Sequence, residues 1–462
     1  MPTASSFRSV YSCAYGCWRP LLLIGVALAA GSMATAALAR EGFFRVEQRD
    51  GRWLMLDPAG RPFHLRGANH YSDGSAMPWN RAVKYGDPAA WRASMRDRHR
   101  AWGFTFLPPS IGPVARDPST VAGPATRANL VARRPEWTAA EFAALEYPFT
   151  AFLAVPKEYM SGQNLPDVFG PEFAAAVERR CREFVAPLRD NRFLIGYHFS
   201  HNPPWNIAAP SAEQWIADCT KPGTPGRAAW IRLMQQVYGT IERWRETYGT
   251  PLRSWDEIAT MENPLRGYVS QSRLMEDKQT FLQWICEEWH RVYRDAIRRH
   301  DPNHLILGDR NTLHLQPAPS PWAFHVMRRY IDVLSVNVMG PAPTIYGVME
   351  TATRNWSGPI LLADTGAGVY TGEPAKAGYQ ARDLAEFETV YSDLMKMSVE
   401  HPQIIGFGWC GWFETPLPSN RSGLVDVATD EPLGERLKIV QRWNAWIENE
   451  YSTRFRPVSP VP

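Results

Sequence analysis

The sequence has 462 residues, with 50 Lys and Arg residues against 47 Asp and Glu residues, which gives a formal net charge of +3. A balance this even produces no strong field of one sign, so the composition argues against nucleic acid and an anionic membrane surface as partners. A neutral partner is expected instead.

The first 39 residues predict a targeting segment, a signal peptide. Arg8 and Arg19 precede an apolar run over residues 21–28, and Ala37-Leu38-Ala39 has the small-residue pattern of a cleavage site. An uncleaved membrane anchor is the alternative, because residues 21–39 approach the roughly 20 apolar residues that span a bilayer. We expect a periplasmic or secreted chain that begins at Arg40 and makes no other contact with the membrane.

An alternation of strand-like and helix-like segments predicts an α/β fold. Residues 40–60 contain two short alternating runs around Asp50-Gly51, which is a strong hairpin signal. Eight apolar runs alternate with helical stretches over residues 61–455, and they are 63–70, 103–107, 149–153, 193–199, 305–308, 333–337, 360–364 and 404–409. We therefore predict one large (β/α)8 domain, a TIM barrel, preceded by a short N-terminal β-hairpin and followed by a flexible tail over 456–462.

The cysteines show no spacing typical of a structural zinc site. Export to an oxidising compartment permits a disulfide, and Cys181 with Cys219 is the pair that we suspect.

Polar and aromatic residues follow most of the predicted strands, at the end of a barrel where active sites lie. They include Asn69, His70 and Tyr71, then His198, Ser200, His201 and Asn202, then Asp309, Arg310 and Asn311, then Asn337, Asp364, Trp409, Trp412 and Glu414. Asp364 is the clearest carboxylate candidate, because it follows an apolar strand directly and is expected to point into the barrel mouth. The alternative is an Asp that caps the following turn through its own backbone.

Eight segments in chain order carry a family resemblance: 53–58, 66–69, 167–169, 193–197, 301–308, 330–337, 405–409 and 422–426. Together they resemble the β-agarase-like retaining glycoside hydrolases over nearly the whole chain after the targeting segment. The resemblance implies the barrel fold and a β-linked polysaccharide or oligosaccharide as substrate. We expect no cofactor.

Two positions depart from the family pattern. The family's strand-four motif ends in Asp-Asn-Glu, whose Glu is the acid/base, and the matching stretch here is Ser200-His201-Asn202. Asp364 matches the position of the family's nucleophilic Glu. An amide cannot deliver a proton as a carboxylic acid does, and positioned acid catalysis contributes about 10²–10⁴-fold. The shorter Asp also withdraws its carboxylate by roughly 1.5 Å, comparable with a misplacement of about 1 Å that costs about 10²-fold. Room for a water molecule would favour inversion.

Two hypotheses follow. In the preferred one a hydrolase has relocated its acid, with Asp364 as base or nucleophile and the proton donor one of Glu414, Asp309 or His201. In the other, a pseudoenzyme binds glycan without cleaving it through the flat faces of Trp205, Trp409 and Trp412, because aromatic faces pack against sugar rings.

Further substrate-binding candidates are Arg66, Asn69, His70, Arg310 and Asn337. Arg66 and Arg310 would orient sugar hydroxyls or hold Asp364 ionised, and a structural ion pair is the alternative interpretation for each. The three histidines His70, His198 and His201 raise the question of a metal. No supporting carboxylate spacing accompanies them, so hydrogen-bonded histidines are the preferred interpretation and no metal is expected.

Overall fold

The computed structural model describes residues 41–71, 84–109, 137–153, 165–262, 271–314, 317–370, 379–414, 422–426 and 429–455. The predicted targeting segment and the predicted flexible tail lie outside these residues. Within the described ranges, no helix combines the length and apolar character that a membrane span requires.

The chain begins with an antiparallel hairpin of β1 (Arg45–Arg49) and β2 (Arg52–Leu56). Arg49 pairs with Arg52, and the chain turns at Asp50 and Gly51, which both have positive φ. This is the conformation that an Asp-Gly hairpin turn requires, and the turn places Val46 and Met55 opposite each other in the ladder.

The remaining strands follow in chain order. They are β3 (Leu65–Ala68), β4 (Phe149–Phe152), β5 (Leu194–His201), β6 (Leu305–Thr312), β7 (Leu334–Met339), β8 (Ile360–Gly366), β9 (Gly368–Val369), β10 (Gln380–Ala381), β11 (Ile404–Trp409), β12 (Phe413–Glu414) and β13 (Val425–Asp426). Over the described residues, one curled parallel sheet of seven strands has the order β3-β11-β8-β7-β6-β5-β4. Its carboxyl ends lie at one edge, where the candidate residues are.

Helices alternate with these strands. They are α1 (Pro88–Ala101), α2 (Ala139–Ala143), α3 (Pro171–Arg180), α4 (Pro210–Cys219), α5 (Pro225–Tyr238), α6 (Ile241–Tyr248), α7 (Trp255–Thr260), α8 (Gln271–His300), α9 (Pro321–Met327), α10 (Ala342–Thr353), α11 (Leu384–Glu400) and α12 (Gly434–Arg454). A helical turn over Cys181–Val185 and a short one over Ala186–Leu188 extend α3. Several helices begin at a side-chain cap, as at Thr224 and Asp383, which accept from backbone N–H groups of the first turn.

The predicted second strand, 103–107, lies beside both edge strands of the sheet but forms no regular ladder. The Thr105 N–H donates to the Arg66 carbonyl at 2.7 Å, and the Leu107 N–H donates to the Pro148 carbonyl at 2.8 Å. The Arg66 N–H is bound by the Thr105 side-chain oxygen at 2.8 Å instead of by a backbone carbonyl. Because a side chain replaces one ladder bond and Pro108 has no N–H, the strand pattern stops after a single bridge.

The two faces of the sheet belong to different apolar cores. Leu305 and Leu307 point to one face, where Leu361 and Ile405 join them, and the hairpin residue Met55 packs into the same cluster. Side chains of the opposite face, such as Ile306, pack with the helices. This alternation is the pattern of strands buried on both sides, and it explains the near-continuous apolar runs in the sequence.

The expected disulfide between Cys181 and Cys219 does not form, and that expectation was wrong. Both are buried and outside any disulfide, as are Cys286 and Cys410. Cys181 follows α3, whereas Cys219 ends α4 with its Sγ 3.9 Å from the Pro166 carbonyl. Burial raises the pKa of Cys181 to about 12, so this thiol keeps its proton.

The contact between β11 and β3 leaves no room for a side chain at Gly406. This residue has φ +150°, and an added Cβ would collide with the Leu65 carbonyl oxygen. We predict that Gly406→Ala lowers the free energy of unfolding by about 1–3 kcal/mol through overpacking. Gly347 in α10 has open space around its Cα, so Gly347→Ala is the matched control and should be neutral or stabilising by up to about 1 kcal/mol. Urea unfolding of both variants measures the difference, and a Gly406→Ala protein as stable as the control would contradict this packing.

Candidate active site

Asp364 lies near the end of β8 and is held by side chains from other strands. Its Oδ1 accepts a hydrogen bond from Asn69 Nδ2 at 3.0 Å, and its Oδ2 is 3.1 Å from Arg310 Nη2. His70 Nε2 lies 3.9 Å from the same Oδ2. The residue is 7% exposed. Since the partners come from the ends of β3 and β6, Asp364 connects neighbouring strand ends rather than the turn that follows it.

Arg310 is the residue that organises this end of the sheet. It is 1% exposed, and its Nη2 also donates to the Ala363 carbonyl at 2.9 Å, while its Nε donates to Asn337 Oδ1 at 3.3 Å. The register places Asn337 beside Asp364 and His201 beside Arg310. The structure therefore brings together Asn69, His70, Arg310, Asn337 and Asp364. Of the two interpretations given for Arg310, the observed contact with Asp364 is the ion pair.

Asn202, at the expected acid/base position, has a side chain of fixed orientation. Its Oδ1 accepts from the Thr312 backbone N–H at 3.0 Å and from the Thr312 hydroxyl. A backbone N–H can only donate, so the amide oxygen must face Thr312 and the amide NH2 must face the other way. That NH2 lies 3.3 Å from His201 Nε2. The residue has φ +55°, a conformation that Asn tolerates better than most residues.

His201 lies beside two amide groups. Asn202 presents its NH2 to Nε2, and Asn337, whose Oδ1 is bound to Arg310, presents Nδ2 to Nδ1 at 3.5 Å. An amide NH2 can donate only to a ring nitrogen that carries a lone pair, and a neutral imidazole has one such nitrogen.

Asp309 points to the opposite face of the sheet from Arg310. Its carboxylate accepts from Ser200 at 2.7 Å and from the indole N–H groups of Trp205 and Trp289, both at 3.2 Å, and His290 Nε2 lies 3.1 Å away. The residue is fully buried. Three hydrogen-bond donors thus occupy both oxygens, and these contacts do not bring Asp309 to Asp364.

Glu414 lies on β12, beyond the end of β11. Its Oε2 accepts from the Gly423 N–H at 2.8 Å and forms an ion pair with Arg436 of α12 at 2.8 Å. These bonds attach Glu414 to the β12–β13 pair, and the described contacts do not join it to Asp364.

Arg66 and the three candidate tryptophans serve the protein interior, which corrects their expected role in sugar binding. Arg66 donates to the Gly103 carbonyl and forms an ion pair with Glu448. Each of the tryptophans Trp205, Trp409 and Trp412 is 0% exposed. Trp412 is stacked on His99, with ring centroids 4.2 Å apart, and Trp409 packs against Tyr391. Side chains enclosed in this way have no face to offer to a sugar.

Two residues that neighbour the site, Thr312 and His314, were not among the candidates chosen from the sequence. Thr312 ends β6 and binds Asn202, and His314 follows two residues later, with its Nδ1 3.4 Å from the Asn337 carbonyl. Burial lowers the pKa of His314, and the negative charge of Asp364 partly opposes that shift. The sequence signal was present, because the residues from Asp309 to His314 are polar apart from Leu313.

The three histidines considered for a metal do not meet at one point. His198 is fully buried and stacks on Phe152, and burial lowers its pKa well below the usual value. Among the described residues, the group of side chains positioned to share an ion contains His70 but neither His198 nor His201.

The described chain thus has a parallel sheet with a buried, ion-paired carboxylate near its carboxyl end. Solved structures share this fold. An exo-β-agarase superimposes with a TM-score of 0.69 at 20% identity, covering 90% of this chain and 66% of that one. A second agarase gives 0.69 at 19% identity, covering 91% and 67%.

By sequence, the chain is similar to β-agarase B of Vibrio sp. (strain JT0107), with 20% identity over 504 residues. The alignment covers 90% of this chain and 49% of that protein, so the chain spans about half the length of this relative. No protein-family model matches the sequence. The sequence similarity supports homology to the β-agarases, and the structural similarity shows a shared fold.

The packing of Trp412 gives a test of its role. We predict that Trp412→Ala lowers the free energy of unfolding by about 3–5 kcal/mol, because it empties a space between His99 and Trp102. Tyr370, which is 47% exposed, is the control, and Tyr370→Ala should change stability by less than about 0.5 kcal/mol. Chemical denaturation compares the two. Equal stability of both variants would mean that Trp412 is not a core residue.

Proposed function

We propose that this protein is an exported glycoside hydrolase that cleaves a β-linked polysaccharide or oligosaccharide. The observation that carries the proposal is the Asp364 carboxylate, held at the end of β8 by Arg310 and Asn69 in a chain homologous to β-agarases. Because the relatives are named agarases, agar and its oligosaccharides are the first substrates to test.

The fold we propose for this function is a closed (β/α)8 barrel. The bonds from Thr105 to Arg66 and from Leu107 to Pro148 support the segment around Leu107 as the eighth strand, between β3 and β4. Closure would gather the strand ends into a ring around one mouth.

Asp364 acts in this proposal as the nucleophile or as the base that activates water. The acid is displaced from Asn202, whose amide cannot supply a proton. Of the remaining candidates, Asp309 accepts from three hydrogen-bond donors, and His201 faces two amide NH2 groups. Glu414 is the carboxyl candidate that remains, and it would have to leave Arg436 in order to carry a proton.

A specific observation favours a second function, a glycan-binding protein without catalysis. The Asn202 amide is fixed by Thr312, so the acid/base position serves structure rather than proton transfer. With Trp205, Trp409 and Trp412 buried, such a protein would bind its glycan through polar side chains, including Asn69, His70 and Asn337.

Reducing-end release distinguishes these functions. We expect the purified protein to release reducing ends slowly from one member of a panel of β-linked polysaccharides that includes agar. Asp364→Asn should abolish release, because an amide is neither a nucleophile nor a base here. If no substrate is turned over while the native protein and Asp364→Asn bind the same glycan, the hydrolase proposal fails and the binding function stands.

Restoring a carboxyl group tests the assignment of Asn202. We predict that Asn202→Glu raises the rate of release, with about 10²–10⁴-fold as the upper range for a positioned acid. The control is Asn202→Gln. Gln has the same side-chain length as Glu and also disturbs the bond to Thr312, but its amide is not an acid, so the rate of release by this variant should not rise. Equal rates for the Glu and Gln variants would show that position 202 is not the acid position.

A further inference from the structure

We propose that His70, Asp364 and Cys410 form a binding site for a divalent ion of borderline softness, with Zn²⁺ as its representative. One ligand atom from each residue lies within 4.8 Å of the other two. Imidazole nitrogen, carboxylate oxygen and thiolate sulfur are the three donors that zinc takes from proteins, and a three-residue set leaves the fourth position open. The inference concerns ion binding and does not depend on the hydrolase proposal.

Asp364 lies on β8, and His70 and Cys410 lie just beyond the ends of β3 and β11. Because these strands are adjacent, the sheet fixes the separation of the three residues. In the sheet, β11 lies between β3 and β8. The Asn69 N–H donates to the Trp409 carbonyl at 2.7 Å, and the Cys410 N–H donates to the Thr365 carbonyl at 2.8 Å. Each bond involves a ligand or the residue next to one, so the backbone presents the three side chains from a rigid frame.

The distance between His70 and Asp364 suits two ligands of one ion. It is shorter than the distance between two catalytic groups that act on a glycosidic bond. His70 Nε2 and Asp364 Oδ2 are 3.9 Å apart. Two tetrahedral ligands with bonds of about 2.1 Å stand roughly 3.4 Å apart, so a small movement brings both atoms onto one ion. Catalytic groups on either side of a glycosidic bond stand about 5 Å apart or more.

The surroundings of Asp364 also fit a metal ligand. Buried hydrogen-bonding partners that orient a ligating carboxylate are usual in such sites, and Asn69 and Arg310 supply them here. Asn69 is fully buried, yet its Oδ1 has no hydrogen-bond partner within the described structure. An ion or its bound water beside Asp364 would give that oxygen a partner. The charges of a carboxylate and a thiolate would neutralise a divalent ion, so the Arg310 contact can persist.

A second cluster of the same residue types provides an internal comparison. Cys286, His290 and Asp309 are all fully buried, with Cys286 Sγ 3.6 Å from His290 Nδ1 and Asp309 Oδ2 3.1 Å from His290 Nε2. The imidazole lies between the other two groups and turns a different nitrogen to each. These three side chains therefore cannot converge on one ion, which makes Cys286 the matched control for Cys410.

Cobalt titration tests the site without any substrate. Co²⁺ is added to the purified, fully reduced protein, and absorption is followed in the near-ultraviolet, where a thiolate bound to cobalt gives a charge-transfer band. We expect one equivalent of Co²⁺ to produce the band and Zn²⁺ to remove it by displacement. Cys410→Ser should lose the band, whereas Cys286→Ser should keep it.

Affinity measurements complete the test. Competition with a chromophoric zinc chelator should show binding weakened by more than about 10-fold in His70→Ala, and by about 10–100-fold in Asn69→Ala, which removes a bond that orients Asp364. Circular dichroism establishes that each variant is folded. Absence of the band in the native protein, its persistence in Cys410→Ser, or an unchanged affinity in folded His70→Ala would each overturn the proposal. None of these readouts depends on hydrolysis, so they fail or succeed separately from it.

Discussion

The ion pair between Arg310 and Asp364 is the interaction on which the site depends. Both side chains are buried, and the guanidinium also binds the Ala363 carbonyl and Asn337, so one residue of β6 fixes the positions of β7 and β8. Removing one partner would leave an unpaired buried charge, which typically costs about 3–5 kcal/mol. The carboxylate is therefore held in position by contacts within the protein.

The Asn202 amide organises the neighbouring strand end. The Asn202 oxygen accepts from Thr312 and its NH2 lies beside His201, so this side chain joins the end of β5 to β6. In the proposed hydrolase, Asp364 would act with an acid from elsewhere. His70 and Cys410 lie beside the same carboxylate, which is the basis of the proposed ion site.

Much of this arrangement could be predicted from the sequence, because the carboxyl ends of parallel strands meet at one edge. That rule placed Asp364 and Arg310 together correctly. It could not separate Asp309 from Arg310, since a one-residue change reverses the direction of a strand side chain and Gly308 has an irregular backbone with φ +63°. Composition could not show that Trp412 is a core residue, because aromatic rings suit the interior and a sugar equally well. Nor could periodicity show that the Thr105 side chain replaces a ladder bond.

A crystal structure of the native protein with a β-linked oligosaccharide, beginning with those derived from agar, tests the central claim most directly. The measured quantity is the distance from the Asp364 carboxylate to the anomeric carbon of the nearest sugar. The account predicts a sugar at the carboxyl end of the sheet with this distance at about 3–3.5 Å, or slightly longer with one bridging water. A glycan bound elsewhere, with Asp364 still enclosed by Arg310 and Asn69 and out of reach, would contradict it.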